Sequence, residues 1–162
     1  MFLRLIKQLL KQNKQIESLK EMLFSHKYFN LVETFNLFDE DGEGTLNAQK
    51  LEDGFAKFNI TFNYEDLERL VVDIADDDDD ATVDLREFSE LVTPRSVEFK
   101  TGGKGSMAHL SLEQRKTFQQ AQMETLAWLF DAFISADAEF AEKKEQLQLD
   151  AESLYDQINE YK

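Results

Sequence analysis

Apolar side chains recur every three or four residues over most of this chain, and polar loops separate the segments that carry them. The spacing predicts an amphipathic helix over residues 2–24, short helices between residues 28 and 93, and a long helical segment over residues 107–162. Phe is abundant, with 14 residues, and Pro is nearly absent, with one. The pattern therefore predicts an all-α fold.

The predicted helix at residues 2–24 has one apolar face and is basic over much of the rest. The apolar face is formed by Phe2, Leu5, Ile6, Leu9, Leu10, Ile16, Leu19, Leu23 and Phe24. The basic residues are Arg4, Lys7, Lys11, Lys14 and Lys20. Such helices pack on a neighbour, bind the groove of an acidic partner or lie on anionic membranes. Packing within the chain is the simplest interpretation, and the other two stay open.

Residues 76–87 form an acidic stretch, D-D-D-D-D-A-T-V-D-L-R-E, here called loop 2. It follows the third of the predicted short helices. Oxygen-bearing side chains fall at positions 1, 3, 5, 9 and 12 of its twelve residues, and position 7 would offer a backbone carbonyl. A hard cation such as Ca²⁺ takes about six to eight oxygen ligands, which this alternation can supply. The predicted metal ligands are Asp76, Asp78, Asp80, Thr82, Asp84 and Glu87. Calcium is the expected ion, with magnesium possible at rest, and a solvated acidic loop is the alternative.

A related stretch, D-E-D-G-E-G-T-L-N-A-Q-K, occupies residues 39–50, here called loop 1. It has acids at positions 1, 3 and 5, namely Asp39, Asp41 and Glu43, but its twelfth residue is Lys50. Losing the closing carboxylate and adding a positive charge should abolish useful affinity for a divalent ion. Loop 1 is therefore predicted not to bind metal, and Lys50 is expected to pair with Asp39 or Asp41.

The two loops with their flanking helices resemble the EF-hand superfamily. The stretch L-V-E-T-F-N-L-F-D-E-D-G-E-G is similar to the first hand of calmodulin, troponin C and centrin. The resemblance implies one pair of hands over residues 28–93, with Leu46 and Val83 meeting in a short ribbon between the loops. Loop 2 departs from the family pattern at position 6, where Ala81 replaces a Gly that adopts positive φ. A Cβ at such a position costs about 1 kcal/mol.

Beyond the predicted pair, Pro94 and a Gly-rich run mark residues 94–106 as a linker. Ser111 and Gln114 form a capping box at the start of the long helix. An apolar series then repeats every seven residues, which predicts an imperfect coiled-coil seam: Leu126, Phe133, Phe140, Leu147, Leu154 and Tyr161. About 50 helical residues span roughly 75 Å, so we expect the segment to fold back as a hairpin or to lie along a partner. Residues 126–134 serve either as core or as a ligand helix for the groove of the EF-hand pair.

The composition narrows the function classes. The chain has no Cys and two His, which argues against disulfides, Cys-ligated zinc, thiol catalysis and a His-based metal site. Residues 28–93 carry nineteen acidic and four basic side chains, whereas residues 1–27 carry six basic and two acidic ones. An acidic centre disfavours nucleic acid and favours cations and basic peptides. No apolar run approaches a membrane span, and no base–nucleophile pair suggests an enzyme.

Two functions fit these observations. The first is a cytoplasmic calcium-binding EF-hand protein that engages a helical partner as a regulatory or light-chain-like subunit, with loop 2 active and loop 1 degenerate. The alternative is a calcium-independent structural subunit of a larger cytoskeletal or ciliary assembly, in which the EF-hand pair is a docking module. Met is absent from residues 28–93, which favours one fixed helical target over many.

Overall fold

The computed structural model describes residues 2–96 and 106–160 and confirms the all-α prediction, since its only strands form a two-residue ribbon. Most of the predicted linker, residues 97–105, lies outside the described residues, as do Tyr161 and the side chains of Phe2 and Leu5. Across the described part, no helix is both long and apolar enough to cross a membrane. The helices are α1 (Phe2–Ser25), α2 (Leu31–Phe38), α3 (Ala48–Ala56), α4 (Tyr64–Arg69), α5 (Leu85–Val92) and α6 (Leu112–Glu160), and the strands are β1 (Thr45–Leu46) and β2 (Val83–Asp84).

Asn side chains begin three of the four short helices. Asn30 accepts hydrogen bonds from the backbone of α2, Asn47 caps α3, and Asn63 caps α4 as predicted. The predicted helix at residues 28–38 begins only at Leu31, because Asn30 is extended and Tyr28 has a φ of 64°. Ser111 and Gln114 form the predicted capping box at the start of α6, with hydrogen bonds of 3.2 and 3.0 Å.

The helix that leads into loop 2 widens before it ends. After α4, residues Leu70–Ala75 form a π-helix, and the Asp76 N–H donates to the carbonyl of Val71 at 2.9 Å. Apolar periodicity predicts only a continuous helix here, so this widening is a feature that the pattern did not reveal. The wider turn still buries Leu70 and Val71 while it delivers Asp76 to the start of the loop.

The ribbon joins the two loops. Strands β1 and β2 pair antiparallel, with Leu46 opposite Val83 and Thr45 opposite Asp84. Both Leu46 and Val83 are buried. The predicted meeting of these two side chains is thus confirmed, and it ties the two helix–loop–helix units into one pair.

Helix α6 completes the core of that pair. Leu126, Leu129 and Phe130 are fully buried, and the Phe130 ring lies 5.6 Å from that of Phe55 in a T-shaped contact. The buried residues of α1, the helix–loop–helix pair and α6 form one continuous cluster. The two sequence-based interpretations of residues 126–134 therefore coincide, because this core segment fills the apolar groove of the pair within the same chain.

Helix α1 lies antiparallel along α6. His26, just beyond the end of α1, bonds Thr125 at 2.7 Å, whereas Gln8 and Gln12 both donate to Glu139, at 2.7 and 2.5 Å. Of the two arrangements expected for the last segment, the hairpin is not formed in the described residues, since α6 is one helix of 49 residues. Its distal end continues beyond α1.

Candidate metal centre

Loop 2 folds around its own carboxylates. The Ala81 N–H donates to Asp76 Oδ2 at 2.7 Å, and the Asp78 N–H donates to Asp76 Oδ1 at 3.1 Å. The Thr82 N–H and hydroxyl both donate to Asp80 Oδ1, at 2.8 and 2.7 Å. These bonds turn the first three predicted ligands inward, so that one carboxylate oxygen from each of Asp76, Asp78 and Asp80 lies within 4.8 Å of the others.

The backbone makes two left-handed steps in each loop. In loop 1 these are taken by Gly42 and Gly44, with φ of 70° and 82°. In loop 2 the same positions are Asp79 and Ala81, both with φ of 62°. The prediction that position 6 requires positive φ is confirmed, and loop 2 adopts the turn without Gly.

Glu87 joins the start of loop 2 to its end through its side chain. Its carboxylate is buried, with Oε1 accepting from the Asp77 N–H at 3.0 Å and Oε2 from the Asp84 N–H at 2.9 Å. Asp84 Oδ1 accepts from the Glu87 N–H at 2.8 Å, so positions 9 and 12 form a capping box that begins α5. A carboxylate oxygen of Glu87 also clusters with those of Asp77 and Asp78 within 4.8 Å.

The crowded acids of loop 2 affect each other's protonation. Burial raises the pKa of Glu87 above its ordinary value, and the nearby charge of Asp84 contributes. Desolvation, with repulsion from Asp80 and Asp76, also raises the pKa of Asp78. Desolvation would raise the pKa of Asp76 as well, but the N–H groups of Ala81 and Asp78 leave it lowered. A cation among these groups would favour their charged forms.

Loop 1 already holds a cation, which is its own lysine. The Lys50 Nζ lies 3.0 Å from Asp39 Oδ1, 2.6 Å from Asp41 Oδ1 and 2.8 Å from the Thr45 carbonyl, with Glu43 at 3.4 Å. The predicted ion pairs of Lys50 are confirmed. Burial lowers the pKa of Lys50, but its bonds to Asp41 and Asp39 outweigh this and raise it overall.

The contrast between the loops tests whether loop 2 fits a metal ion. In loop 1 the oxygens of positions 1, 3, 5 and 7 surround a positive charge, so this loop shape presents its oxygens to a cation. Loop 2 makes the equivalent backbone bond, from position 6 to the carboxylate of position 1, and has Glu instead of Lys at position 12. The atoms that loop 2 offers as metal ligands are all oxygens, which suits a hard divalent cation.

An ion pair that the sequence pattern did not predict spans the outside of loop 2. The Arg86 guanidinium donates two bonds to Asp77, at 2.8 and 3.0 Å, and one to Glu90 at 3.1 Å. The pair with Arg86 lowers the pKa of Asp77 to about 2. Opposite charges at positions 2 and 11 of the loop were the available signal. Asp77 thus faces Arg86, and Arg86 Nη2 also lies 3.9 Å from Glu87 Oε1.

Comparisons with known proteins give relatives over less than half of the chain. A probable calcium-binding protein of Arabidopsis thaliana is 29% identical over 79 residues, 49% of this chain and 46% of that protein. Troponin C of Tachypleus tridentatus is 33% identical over 63 residues, 39% of this chain and 40% of its own length. Calmodulin-like protein 9 of Arabidopsis thaliana is 32% identical over 66 residues, 41% of this chain and 43% of its own.

The chain therefore spans less than half the length of these curated relatives. No family model matches the chain, and no solved structure matches it. The two helix–loop–helix units, joined by a ribbon between their loops, have the arrangement expected of an EF-hand pair. The calmodulin-like and troponin C relatives are consistent with that arrangement. Over the matched part, the chain is similar to EF-hand proteins.

Proposed function

We propose that this chain is a calcium-binding protein with one ion site, in loop 2. The observation that carries the proposal is the convergence of the Asp76, Asp78 and Asp80 carboxylates, with the buried Glu87 clustered beside Asp78. The relatives named as calcium-binding, calmodulin-like and troponin C proteins support the same ion. Calcium would be held by the side chains of Asp76, Asp78, Asp80, Asp84 and Glu87 and by the carbonyl of Thr82.

Loop 1 remains without metal in this proposal. A divalent ion would have to displace the Lys50 ammonium from four oxygens, and the lysine would then place an unpaired charge beside the ion. Loop 1 is retained because it pairs with loop 2 through the ribbon and buries Leu46.

The role that fits this site is regulation of a helical partner, without catalysis. One relative is named as a probable calcium-binding protein. In this chain the groove of the EF-hand pair is filled by α6, so an effect of calcium would reach a partner through α6. The contact is close: Phe130 lines a small internal space together with Val83 of the ribbon and Phe88 of α5.

Calorimetric titration of the metal-stripped chain with calcium tests the site. We expect about one ion per chain, with a dissociation constant in the sensor range of about 10⁻⁷–10⁻⁵ M. The variant Glu87→Gln should lose binding, because it removes the charge at position 12. Glu90→Gln is the matched control, since it makes the same change three residues later at an exposed acid bonded to Arg86. Equal losses in both variants would contradict the assignment.

One observation favours the calcium-independent structural alternative, which is that the chain occupies its own groove with α6 and its own first loop with Lys50. Under this alternative the EF-hand pair is a fixed docking module of a larger assembly. The same titration separates the two, because the structural subunit would give no heat with calcium. Repeating it in millimolar magnesium shows whether magnesium competes for the site.

A further inference from the structure

The apolar seam of α6 continues past the part of the helix that is buried. Leu126 is fully buried, and residues of the same seven-residue series become exposed farther along, with Phe140 51% and Leu147 47% exposed. We call the exposed continuation the distal stripe, and its members lie on one side of the helix: Phe140, Leu147, Ala151, Leu154, Tyr155 and Ile158. A seam that is core at one end and exposed at the other indicates that another surface covers it.

The α1 helix of the same molecule does not reach most of this stripe. Gln8 and Gln12 contact Glu139, and α1 runs antiparallel to α6. The described start of α1, six residues before Gln8, is therefore level with about residue 145. Ile158 lies some 13 residues farther, which is roughly 20 Å along the helix.

Helix α1 has an exposed apolar stripe of its own. Leu3, Ile6 and Leu10 are 74%, 37% and 56% exposed, and they lie on a different side of α1 from the buried Ile16 and Leu23. We call these three residues the proximal stripe. The exposed Lys7 and Lys14 lie beside it on the helix surface.

The residues around the two stripes have opposite net charge. Residues 140–160, which hold the distal stripe, contain six acidic side chains and two basic ones, and both basic residues lie at the end near Phe140. Residues 2–16, around the proximal stripe, contain four basic side chains and no acidic one. Asp150 and Glu152 flank the distal stripe on its two sides. Apolar surfaces of matching helical form and opposite charge are complementary, and like-charged pairing of two distal stripes is disfavoured.

We propose that two copies of this chain form a two-fold symmetric dimer, in which the distal stripe of each copy packs against the proximal stripe of the other. Because the two stripes belong to one chain, each contact is made twice, and the symmetry closes the assembly. The chain already packs α1 antiparallel on α6 within one copy, and the dimer extends that helical layer. The proposal does not depend on calcium binding.

Light scattering of the full chain after size exclusion, over a range of concentrations, measures the assembly. We expect the mass of a dimer that dissociates as the salt concentration rises. Two charge-reversal variants, Lys7→Glu with Lys14→Glu and Asp150→Lys with Glu152→Lys, should each weaken the dimer by about tenfold or more, since each places like charges at both contacts. Mixed in equal amounts, they should form a heterodimer, because both of its contacts again join opposite charges.

The control is Glu142→Lys with Asp156→Lys, which makes the same charge change on the opposite side of α6 and should leave the dimer intact. Circular dichroism of each variant verifies that the helices persist. A wild-type chain that stays monomeric at every concentration would overturn the proposal and point to a different protein as the occupant. A dimer that survives both reversals, or a mixture that fails to reassociate, would also overturn it.

Discussion

A single residue decides what each loop holds at its centre. In loop 1 the position-12 residue is Lys50, whose ammonium contacts three acids and a carbonyl. In loop 2 it is Glu87, whose carboxylate is buried and clusters with those of Asp77 and Asp78. Since the two loops share their left-handed turns and their ribbon, this one position separates a loop with an ammonium among its acids from a loop whose clustered groups are all acids.

Changing Lys50 to Glu should therefore create a second ion site. The variant would restore a carboxylate at position 12 and release Asp39 and Asp41 from the ammonium. Calorimetry with calcium should show about two ions per chain, compared with about one in the wild type. Lys57→Glu is the control, because Lys57 pairs with Glu40 outside the ligand positions, and its stoichiometry should stay at one. An unchanged count for Lys50→Glu would mean that loop 1 fails for another reason.

Replacing Ala81 by Gly tests where the strain of loop 2 is carried. Ala81 has a φ of 62°, so its Cβ strains this turn of the folded loop. We expect Ala81→Gly to stabilise the metal-free chain by up to about 1 kcal/mol in urea unfolding. Ala56→Gly, in helix α3, should instead destabilise it by about 0.5–1 kcal/mol. A several-fold gain in calcium affinity would show that the wild-type loop takes up this turn only with the ion.

His26 should make stability depend on pH. Burial lowers its pKa below the ordinary value of about 6.5. Between that value and the lower folded pKa, the unfolded chain binds more protons, so this contribution to stability is lost as the pH falls through the window. Thermal unfolding between pH 7.5 and 5 should show a smaller loss in His26→Gln than in the wild type. His109→Gln alters the exposed histidine and should follow the wild type; equal slopes in all three chains would contradict the prediction.

At the scale of the elements, the sequence predicted the helices well and their ends less well. The apolar repeat located α1 and α6, and Asn63 marked the start of α4. The cap at Asn30 and the π-helix before Asp76 escaped prediction, because both depend on individual hydrogen bonds and apolar spacing does not encode these. The choice between one long helix and a hairpin was also open, since it depends on what α6 packs against.

Phe130 is one of the side chains that α6 buries in the core of the EF-hand pair. It is 1% exposed and contacts Phe55. Phe130→Ala should lower the free energy of unfolding by about 3–5 kcal/mol, because it removes a buried ring and leaves a cavity. Trp128→Ala removes a larger ring from the same helix, but one that is 53% exposed, and we expect a much smaller loss. If urea unfolding showed that Phe130→Ala loses as little stability as Trp128→Ala is expected to lose, α6 would not be part of the core.

For the whole molecule, the sequence pointed to the candidate site more directly than to the contacts between distant segments. The ligand positions of loop 2 lie within twelve consecutive residues, so their spacing alone suggested the site. The packing of α6 in the groove joins residues such as Phe55 and Phe130, which are far apart in the chain, and no local pattern specifies such a contact. From Phe140 onward the apolar seam of α6 is exposed, because the rest of the described molecule covers only the first part of this helix.

Calcium should stabilise α6 along with the loop that binds it. The buried residues of α5 and α6 belong to one cluster, so exchange of their most protected amide hydrogens should require unfolding of the whole core. A hundredfold excess of calcium over the dissociation constant adds about 2.7 kcal/mol to the free energy of that unfolding. Hydrogen exchange should show this gain equally at residues 88–92 and 126–134, and not at residues 147–158 or in Glu87→Gln. Protection gained only at residues 88–92 would show that α6 opens independently of the EF-hand pair and would remove the route by which calcium reaches a partner.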